Sequence, residues 1–207
     1  MPKLTERAFF GGTEERLNRL GLTNVWKELE NILTNFQLCL DKRDDTDSEI
    51  VLRKLIDARF RSTSGWKGKR FGGVNWTRCH KIGEIRVYLG AQIQLSVSAE
   101  SDLLLVDLQY LRDEISGGRI DVGVIVVPSD KLAYFLTDGV VRYSNAVRAV
   151  ERTQASYLPL AVLALEHDGL GPSLIKGQPR HGKKRTAKKE TSTMPVISDS
   201  PERWLGV

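Results

Sequence analysis

The sequence predicts an α/β sandwich in which a central mixed β-sheet is flanked by helices. Two near-continuous apolar runs, "RIDVGVIVVPS" and "YLPLAVLALE", are typical of strands buried on both faces of a sheet. Segments with the apolar spacing of amphipathic helices precede and separate these runs. In chain order the patterns give α-α-β-β-α-β-α-α-β, which is the basis for the predicted fold class.

Two amphipathic helices are predicted in the first third of the chain. After a polar lead, "TNVWKELENILTNF" begins with a Thr-Asn cap and places its apolar residues on one helical face. "IVLRKLIDARF" repeats this spacing, and the charged stretch "LCLDKRDDTDSE" between them predicts a loop. The following "RSTSGWKGKRFGGVNW" is rich in Gly, Ser and cations, so it predicts an exposed loop.

The middle of the chain predicts two short strands, 84–89 and 91–97, separated by Gly90. "SAESDLLLVDLQYLRDEISGG" then has a Ser cap, an apolar stripe and a terminating Gly pair, which predict a helix. Asp102 and Asp107 lie in this helix, and Asp102 is near its N-terminus, where the helix dipole favours acids. The strand "RIDVGVIVVPS", the helices "SDKLAYFLTDG" and "GVVRYSNAVRAVERT" and the strand "YLPLAVLALE" complete the order.

The positive charge of the chain is concentrated near its C-terminus. The segment "KGQPRHGKKRTAKK" holds seven cations and no acid, while the whole chain has a formal charge of +5, so the remainder is slightly acidic. We expect a folded domain over 1–168 and a basic, disordered tail over 169–207. Such a tail suits phosphate backbones through counterion release, and a solubilising extension is the alternative.

Composition argues against several other classes of protein. Two cysteines and three histidines are too few for a disulfide framework or a zinc cluster. No apolar run approaches the roughly 18 residues of a membrane-spanning helix, and "MPKLTERAFF" lacks the apolar core of a secretory signal. We therefore expect a cytoplasmic protein without a membrane partner.

Four segments together resemble the BglII/BstYI family of type II restriction endonucleases, within the PD-(D/E)XK nuclease superfamily. They follow the family's order over roughly residues 24–167, and they read "NVWKELENIL", "GWKGKR", "RIDVGVIVVPSDKL" and "YLPLAVLALE". The resemblance implies a restriction-endonuclease-like sandwich, binding of double-stranded DNA, and hydrolysis of its phosphodiester bonds with Mg²⁺. It also implies a homodimer, with the helices of 24–36 and 101–115 as candidates for its interface.

The resemblance also implies where the active site lies. Family members carry an Asp at the end of one strand and, about nine residues later, Glu-x-Gln or Glu-x-Glu on the next. Alignment puts Gly83 at the Asp position, Gln92 at the Glu and Gln94 at the last position, with Glu84 beside Gly83. The catalytic residues implied are therefore Glu84, Gln92 and Gln94, with Glu84 and Gln92 as metal ligands.

Two of the three expected ligand positions differ from the family pattern. A Gln oxygen brings no charge, and Mg²⁺ sheds water reluctantly for neutral ligands. Three readings stay open: an active Mg²⁺-dependent endonuclease, helped by an acid from another helix; a catalytically degenerate DNA-binding or regulatory module; and an unrelated α/β domain.

Two groups of residues are candidates for contacts with DNA. Lys67, Lys69 and Arg70 lie on a Gly-rich segment beside Trp66 and suit phosphate groups, although a solvated loop is the alternative. Arg142, Ser144 and Asn145 lie where the family reads its target sequence, and their side chains suit base edges in the major groove.

Overall fold

A six-stranded mixed sheet forms the centre of the computed structural model, which describes residues 1–38, 48–69, 73–95, 102–136 and 139–169. The middle strands run parallel, and the others pair antiparallel to their neighbours. The spatial order is β1-β6-β5-β4-β3-β2, with β1 (Lys3–Phe10), β2 (Trp66–Gly68), β3 (Trp76–Ile82), β4 (Ile85–Ile93), β5 (Val122–Pro128) and β6 (Leu160–Glu166).

Helices cover both faces of the sheet and bury two separate apolar clusters. One cluster joins β4, β5 and β6 to α2, α3 and α5, and the other joins the opposite face of β5 and β6 to α4 and α6. The predicted α/β sandwich with a central mixed sheet is therefore confirmed. The helices are α1 (Thr13–Arg19), α2 (Thr23–Thr34), α3 (Ser48–Ser62), α4 (Asp102–Ser116), α5 (Asp130–Phe135) and α6 (Tyr143–Arg152), followed by a 3₁₀ turn (Gln154–Tyr157).

The predicted helices and buried strands are present, but the N-terminal prediction is wrong. The segment taken as a polar lead forms β1 and α1. β1 is an edge strand, and polar residues such as Glu6 and Arg7 interrupt its apolar ones, so it lacks the continuous apolar run of β5. No helix in the described part of the chain is long and apolar enough to cross a membrane. The predicted tail from residue 170 onward lies outside the described residues.

The predicted strand pair 84–89 and 91–97 is also wrong, because Gly90 lies inside one continuous strand, β4. The partner of β4 is β3, and the chain turns at Gly83–Glu84, with Ile82 paired to Ile85. Gly83 has φ +59, as the first central residue of a two-residue hairpin turn often requires. Gly90 is required for packing instead, since a Cβ there would lie 2.5 Å from Ile120 Cδ1. The segment predicted as an exposed loop contributes β2 and the first residue of β3.

Two glycines with positive φ allow the cost of backbone conformation to be separated from the cost of steric overlap. A Cβ on Gly11 (φ +53) would overlap the carbonyl oxygens of Leu158 and Tyr157, whereas a Cβ on Gly83 would meet nothing within 4 Å. We predict that Gly83→Ala lowers the free energy of unfolding by about 1 kcal/mol, from backbone conformation alone. Gly11→Ala should cost about 3 kcal/mol or more, because backbone atoms must also move. Urea unfolding of both variants measures the difference, and equal losses would contradict the assigned overlap.

Candidate functional site

The end of β4 carries two buried glutamines on one face of the sheet. Ala91 and Ile93 belong to the apolar cluster that contacts α2 and α3, so the alternation of a strand directs Gln92 and Gln94 toward the α4 layer. The exposed fractions of Gln92 and Gln94 are 3% and 4%. Buried amides need hydrogen-bond partners, and those partners define the site.

Gln92 is held by groups from two other elements. Its Oε1 accepts a hydrogen bond from the backbone N–H of Asn75 at 3.0 Å, and its Nε2 donates to the carboxylate of Asp107 on α4. The Asn75 side chain in turn accepts from the backbone N–H of Ile93 at 2.8 Å. Both polar atoms of the Gln92 amide are therefore already engaged within the protein.

The hairpin register shows which residue faces Gln92. Trp76 pairs with Ala91, so the next position across the ladder from Gln92 is Asn75. Gly83 and Glu84 lie in the turn at the opposite end of the hairpin, about 25 Å away at the usual rise of a strand. The predicted pairing of Glu84 with Gln92 around one metal ion is therefore corrected, because the hairpin turns at Gly83–Glu84 and not at Gly90.

Gln94 lies on the same face, one alternate position further along. Its backbone N–H donates to the carbonyl of Val126 at 2.8 Å, which keeps the chain beside β5. Its side-chain Nε2 is buried and has no hydrogen-bond partner among the described residues. Since an unsatisfied buried amide is costly, this group is available to a ligand.

The carboxylate of Asp107 directly contacts Gln92, one of the predicted site residues. Burial raises its pKa from 3.8 to about 6, while the hydrogen bond from Gln92 and the positive charge of Arg53 act in the opposite direction. The group is therefore ionised at neutral pH, but its ionisation carries a desolvation cost.

Arg53 and Asp57 of α3 approach the end of β4 from the other layer. Arg53 Nε lies 3.1 Å from Asp57 Oδ2, and its Nη1 donates to the carbonyl of Ile93. Asp57 Oδ1 accepts from Trp76 Nε1 at 2.9 Å. One arginine thus ties α3 to the backbone between the two glutamines.

Sequence reasoning did not single out Asn75, Arg53 or Asp57. Asn75 could have been found by placing the turn at Gly83–Glu84 and counting back along the ladder. Arg53 and Asp57 stand four residues apart on a predicted helix, which is the ordinary spacing of a surface ion pair, so the sequence gives no signal for their position at the site.

The residues present do not fit a resident Mg²⁺ ion. Mg²⁺ takes oxygen ligands and is usually held by carboxylates. Within the described ranges, no group of three or more His, Cys, Asp and Glu side chains could hold a metal. The Gln92 Oε1 already accepts a hydrogen bond from Asn75, and the Ile93 carbonyl accepts one from Arg53. Among the hydrogen bonds of the described residues, Asp107 is the only acid in contact with Gln92.

The first group of predicted DNA contacts lies partly beside this site. Lys67 and Lys69 are exposed, and the Lys69 backbone N–H donates to the carbonyl of Asn75 at 3.0 Å. Lys69 has φ +50, an unusual backbone conformation for a residue other than glycine. Trp66 is buried against Phe60, with ring centroids 4.9 Å apart, so it packs in the core and does not face DNA. Arg70 lies outside the described residues.

The second group lies at the start of α6. Ser144 Oγ donates to Asp130 Oδ1 at 3.0 Å, and Asp130 comes just after the end of β5. This group is therefore at the same edge of the sheet as the end of β4, because β4 and β5 run parallel. Arg142 and Asn145 are exposed, whereas Ser144 is engaged by Asp130. Their predicted contacts with bases stay a prediction.

Asp107→Asn tests the desolvation cost at the site. The folded-state pKa lies above the ordinary value, so the native state binds the proton more tightly and stability falls as the pH rises from about 4 to about 6. Asn keeps the acceptor for Gln92 without the charge. We predict that the variant is more stable than the wild type at pH 8 by about 1 to 2 kcal/mol, discounted for partial solvent exposure, and gains less at pH 4.

Urea unfolding at the two pH values measures this effect. Asp113→Asn is the matched control, because exposed Asp113 on the same helix also accepts a hydrogen bond from a glutamine, Gln109, at 2.7 Å. An equal gain in both variants would contradict the assignment to Asp107.

Comparison with known families completes the description of the site. Residues 10–165 match the family model described as restriction endonuclease BglII/BglIII, whereas no curated protein matches the chain. The match covers about three quarters of the chain, from the end of β1 to the end of β6, and confirms the resemblance found in the sequence. The chain belongs to the BglII/BglIII restriction endonuclease family, whose members are nucleases that bind and cleave DNA.

Proposed function

We propose that this protein binds double-stranded DNA with the fold of its family, through a site that has lost its affinity for Mg²⁺ and with it metal-dependent hydrolysis. One observation carries the proposal: the two residues that face each other across the hairpin, Asn75 and Gln92, are both amides and are both engaged in hydrogen bonds. DNA binding is inferred from membership of the family. The loss of metal binding is inferred from the residues of the site.

The charge of the site supports this proposal. A divalent cation is stabilised chiefly by carboxylates, and here the positions facing the site on β4 and across from it are neutral. Among the residues that the structure describes, Asp107 alone supplies a negative charge beside Gln92, and its carboxylate already accepts a hydrogen bond from the Gln92 amide. The electrostatic attraction between Mg²⁺ and the site is therefore too weak to offset the cost of dehydrating the ion.

The surface around the site supports the duplex as partner. Lys67 lies on the edge strand β2, and Lys69 comes just after this strand, where its backbone N–H donates to Asn75. Arg142 and Asn145 lie at the end of the sheet where β4 ends. Phosphate contacts from the lysines would set the position of the duplex, and the α6 residues would reach base edges. The cationic segment 176–189 adds attraction for phosphates by its composition. A protein with this role would meet its DNA in the cytoplasm.

We also propose that the protein acts as a homodimer through α4. Leu103, Val106 and Tyr110 share one face of this helix and are 46%, 41% and 42% exposed. The outer face of α2, the other predicted interface helix, carries polar residues such as Asn24, Lys27 and Asn31. Exposed apolar side chains grouped on one face are typical of an interface, which favours α4.

An active Mg²⁺-dependent endonuclease is the second candidate, and it is favoured by the half-buried carboxylate of Asp107 beside Gln92. The Gln94 Nε2, which has no hydrogen-bond partner among the described residues, would in that case donate to a phosphate oxygen. In that case Asp107 would be the acid supplied by a helix. A plasmid-cleavage assay on unmodified DNA decides between the two. Conversion of supercoiled plasmid to nicked or linear forms only when Mg²⁺ is added would establish the second candidate and refute the first.

The DNA-binding surface can be tested by charge removal. We predict that the protein binds duplex DNA in EDTA, with affinity that falls steeply as salt rises. Lys67→Gln/Lys69→Gln should weaken binding and reduce the slope of log affinity against log salt by about 2, because two phosphate contacts are lost. Fluorescence anisotropy at several salt concentrations measures both quantities.

Lys81→Gln/Arg86→Gln provides the control, since these exposed cations lie at the turn end of the hairpin, far from Asn75. An equal change in slope would place the DNA elsewhere, and absence of binding at low salt would refute both DNA-based candidates.

The assignment of the lost metal site can be tested by restoring its charge. We predict that Asn75→Asp/Gln92→Glu gains divalent-metal binding, because two new carboxylates would join Asp107 while keeping the acceptors used by Ile93 and by the Asn75 N–H. Calorimetric titration with Mn²⁺ detects the gain. Lys81→Gln/Gln92→Glu lowers the net charge by the same two units, with one of the two changes at a distant strand position. A similar titration for both variants would contradict the assignment.

A further inference from the structure

The guanidinium of Arg53 contacts oxygen atoms of two elements, and its charge acts on a carboxylate of a third. It bonds the Asp57 carboxylate of α3 at 3.1 Å and the Ile93 carbonyl of β4. Its charge also acts on the Asp107 carboxylate of α4, where it offsets part of the rise in pKa that burial causes. One carboxylate and one main-chain carbonyl therefore contact this positive group, and a second carboxylate lies within the range of its charge.

Carboxylates and main-chain carbonyls are the oxygen donors that a divalent cation takes in proteins. The carbonyl in question belongs to Ile93, the residue between Gln92 and Gln94, so it lies on the strand segment that the family resemblance assigns to the metal. A guanidinium is always charged and offers several N–H donors in a fixed plane, so it can satisfy several oxygens at once.

The amides of the site agree with a cation of single charge. Asp57 and Asp107 already carry two negative charges for the one positive charge of Arg53. Carboxylates at positions 75 and 92 would add two more without a divalent ion to neutralise them. Neutral side chains at these two positions therefore keep the charge near balance in a largely buried setting.

We propose that Arg53 is the resident cation of this site, in place of a divalent metal ion, and that the protein therefore engages DNA without metal. The inference rests on the proposed function, in which the site no longer binds Mg²⁺. Arg53 differs from an ordinary ion pair along a helix because it also bonds the backbone of a strand in another element. It is a positioning residue, since it orders the site and activates no water.

Removal of the Arg53 charge followed by addition of Mn²⁺ tests whether Arg53 acts as the cation of the site or only links α3 to β4. Arg53→Gln removes the charge but keeps a polar side chain, Arg53→Lys keeps the charge, and Lys54→Gln removes an exposed charge from the neighbouring position. We expect Arg53→Gln to lower Tm by about 3 to 5 °C in EDTA and Mn²⁺ to restore much of this loss. Wild type, Arg53→Lys and Lys54→Gln should show no change in Tm with Mn²⁺.

The outcomes separate the two proposals. Loss of stability that Mn²⁺ does not restore, or no loss at all, would overturn the role of Arg53 as the site cation. If Arg53→Gln does not fold, the wild type and Arg53→Lys decide. A rise in the Tm of either with Mn²⁺ would overturn the role of Arg53, and an unchanged Tm of both would support it. Wild-type DNA binding in EDTA should be at least as strong as in Mg²⁺, which competes for the phosphates, and a requirement for Mg²⁺ would refute metal-free engagement. Failure to bind DNA at all would refute the proposed function and leave the Tm result to stand alone.

Discussion

The register of the β3–β4 hairpin is the constraint on which the rest of the site depends. Pairing of Ile82 with Ile85 across the Gly83–Glu84 turn fixes every later pair, and it sets Asn75 opposite Gln92. A slip of one residue would exchange the two faces of β4, because side chains alternate along a strand. Gln92 would then face the apolar cluster of α2 and α3 without partners, and Ile93 would meet Asp107.

Burial gives the polar groups at the end of β4 their significance. In such surroundings a polar group left without a partner is costly, so the hydrogen bonds of Gln92, Asn75 and Asp107 hold one another in place. The same satisfaction limits chemistry, since an oxygen that already accepts a hydrogen bond is less available to a metal. A guanidinium can balance charge here, but it lacks the Lewis acidity with which a divalent metal generates a hydroxide nucleophile.

Much of the fold follows from local patterns, whereas the site depends on contacts between distant segments. The apolar runs of β5 and β6 and the helical spacing of α2, α3 and α4 were predictable, because burial on one or two faces leaves a periodic trace. Strand β1 was not predictable from its sequence, because an exposed edge strand tolerates charged side chains. Gly90 suggested a turn because its contact with Ile120 is invisible in the sequence. The family resemblance located Gln92 and Gln94. Asn75 could be identified only from the hairpin register, and Arg53 only from the packing of α3 against β4.

Helix α4 places Asp107 at the border between two surfaces. Leu104, Leu108 and Leu111 point into the core, Leu103 and Tyr110 are exposed, and Asp107 lies between these two faces on the helical turn. A molecule that covers the exposed face would remove further water from the carboxylate and favour its protonated form. Association on α4 and uptake of a proton by the site are therefore thermodynamically linked, so that each shifts the equilibrium of the other by the same free energy.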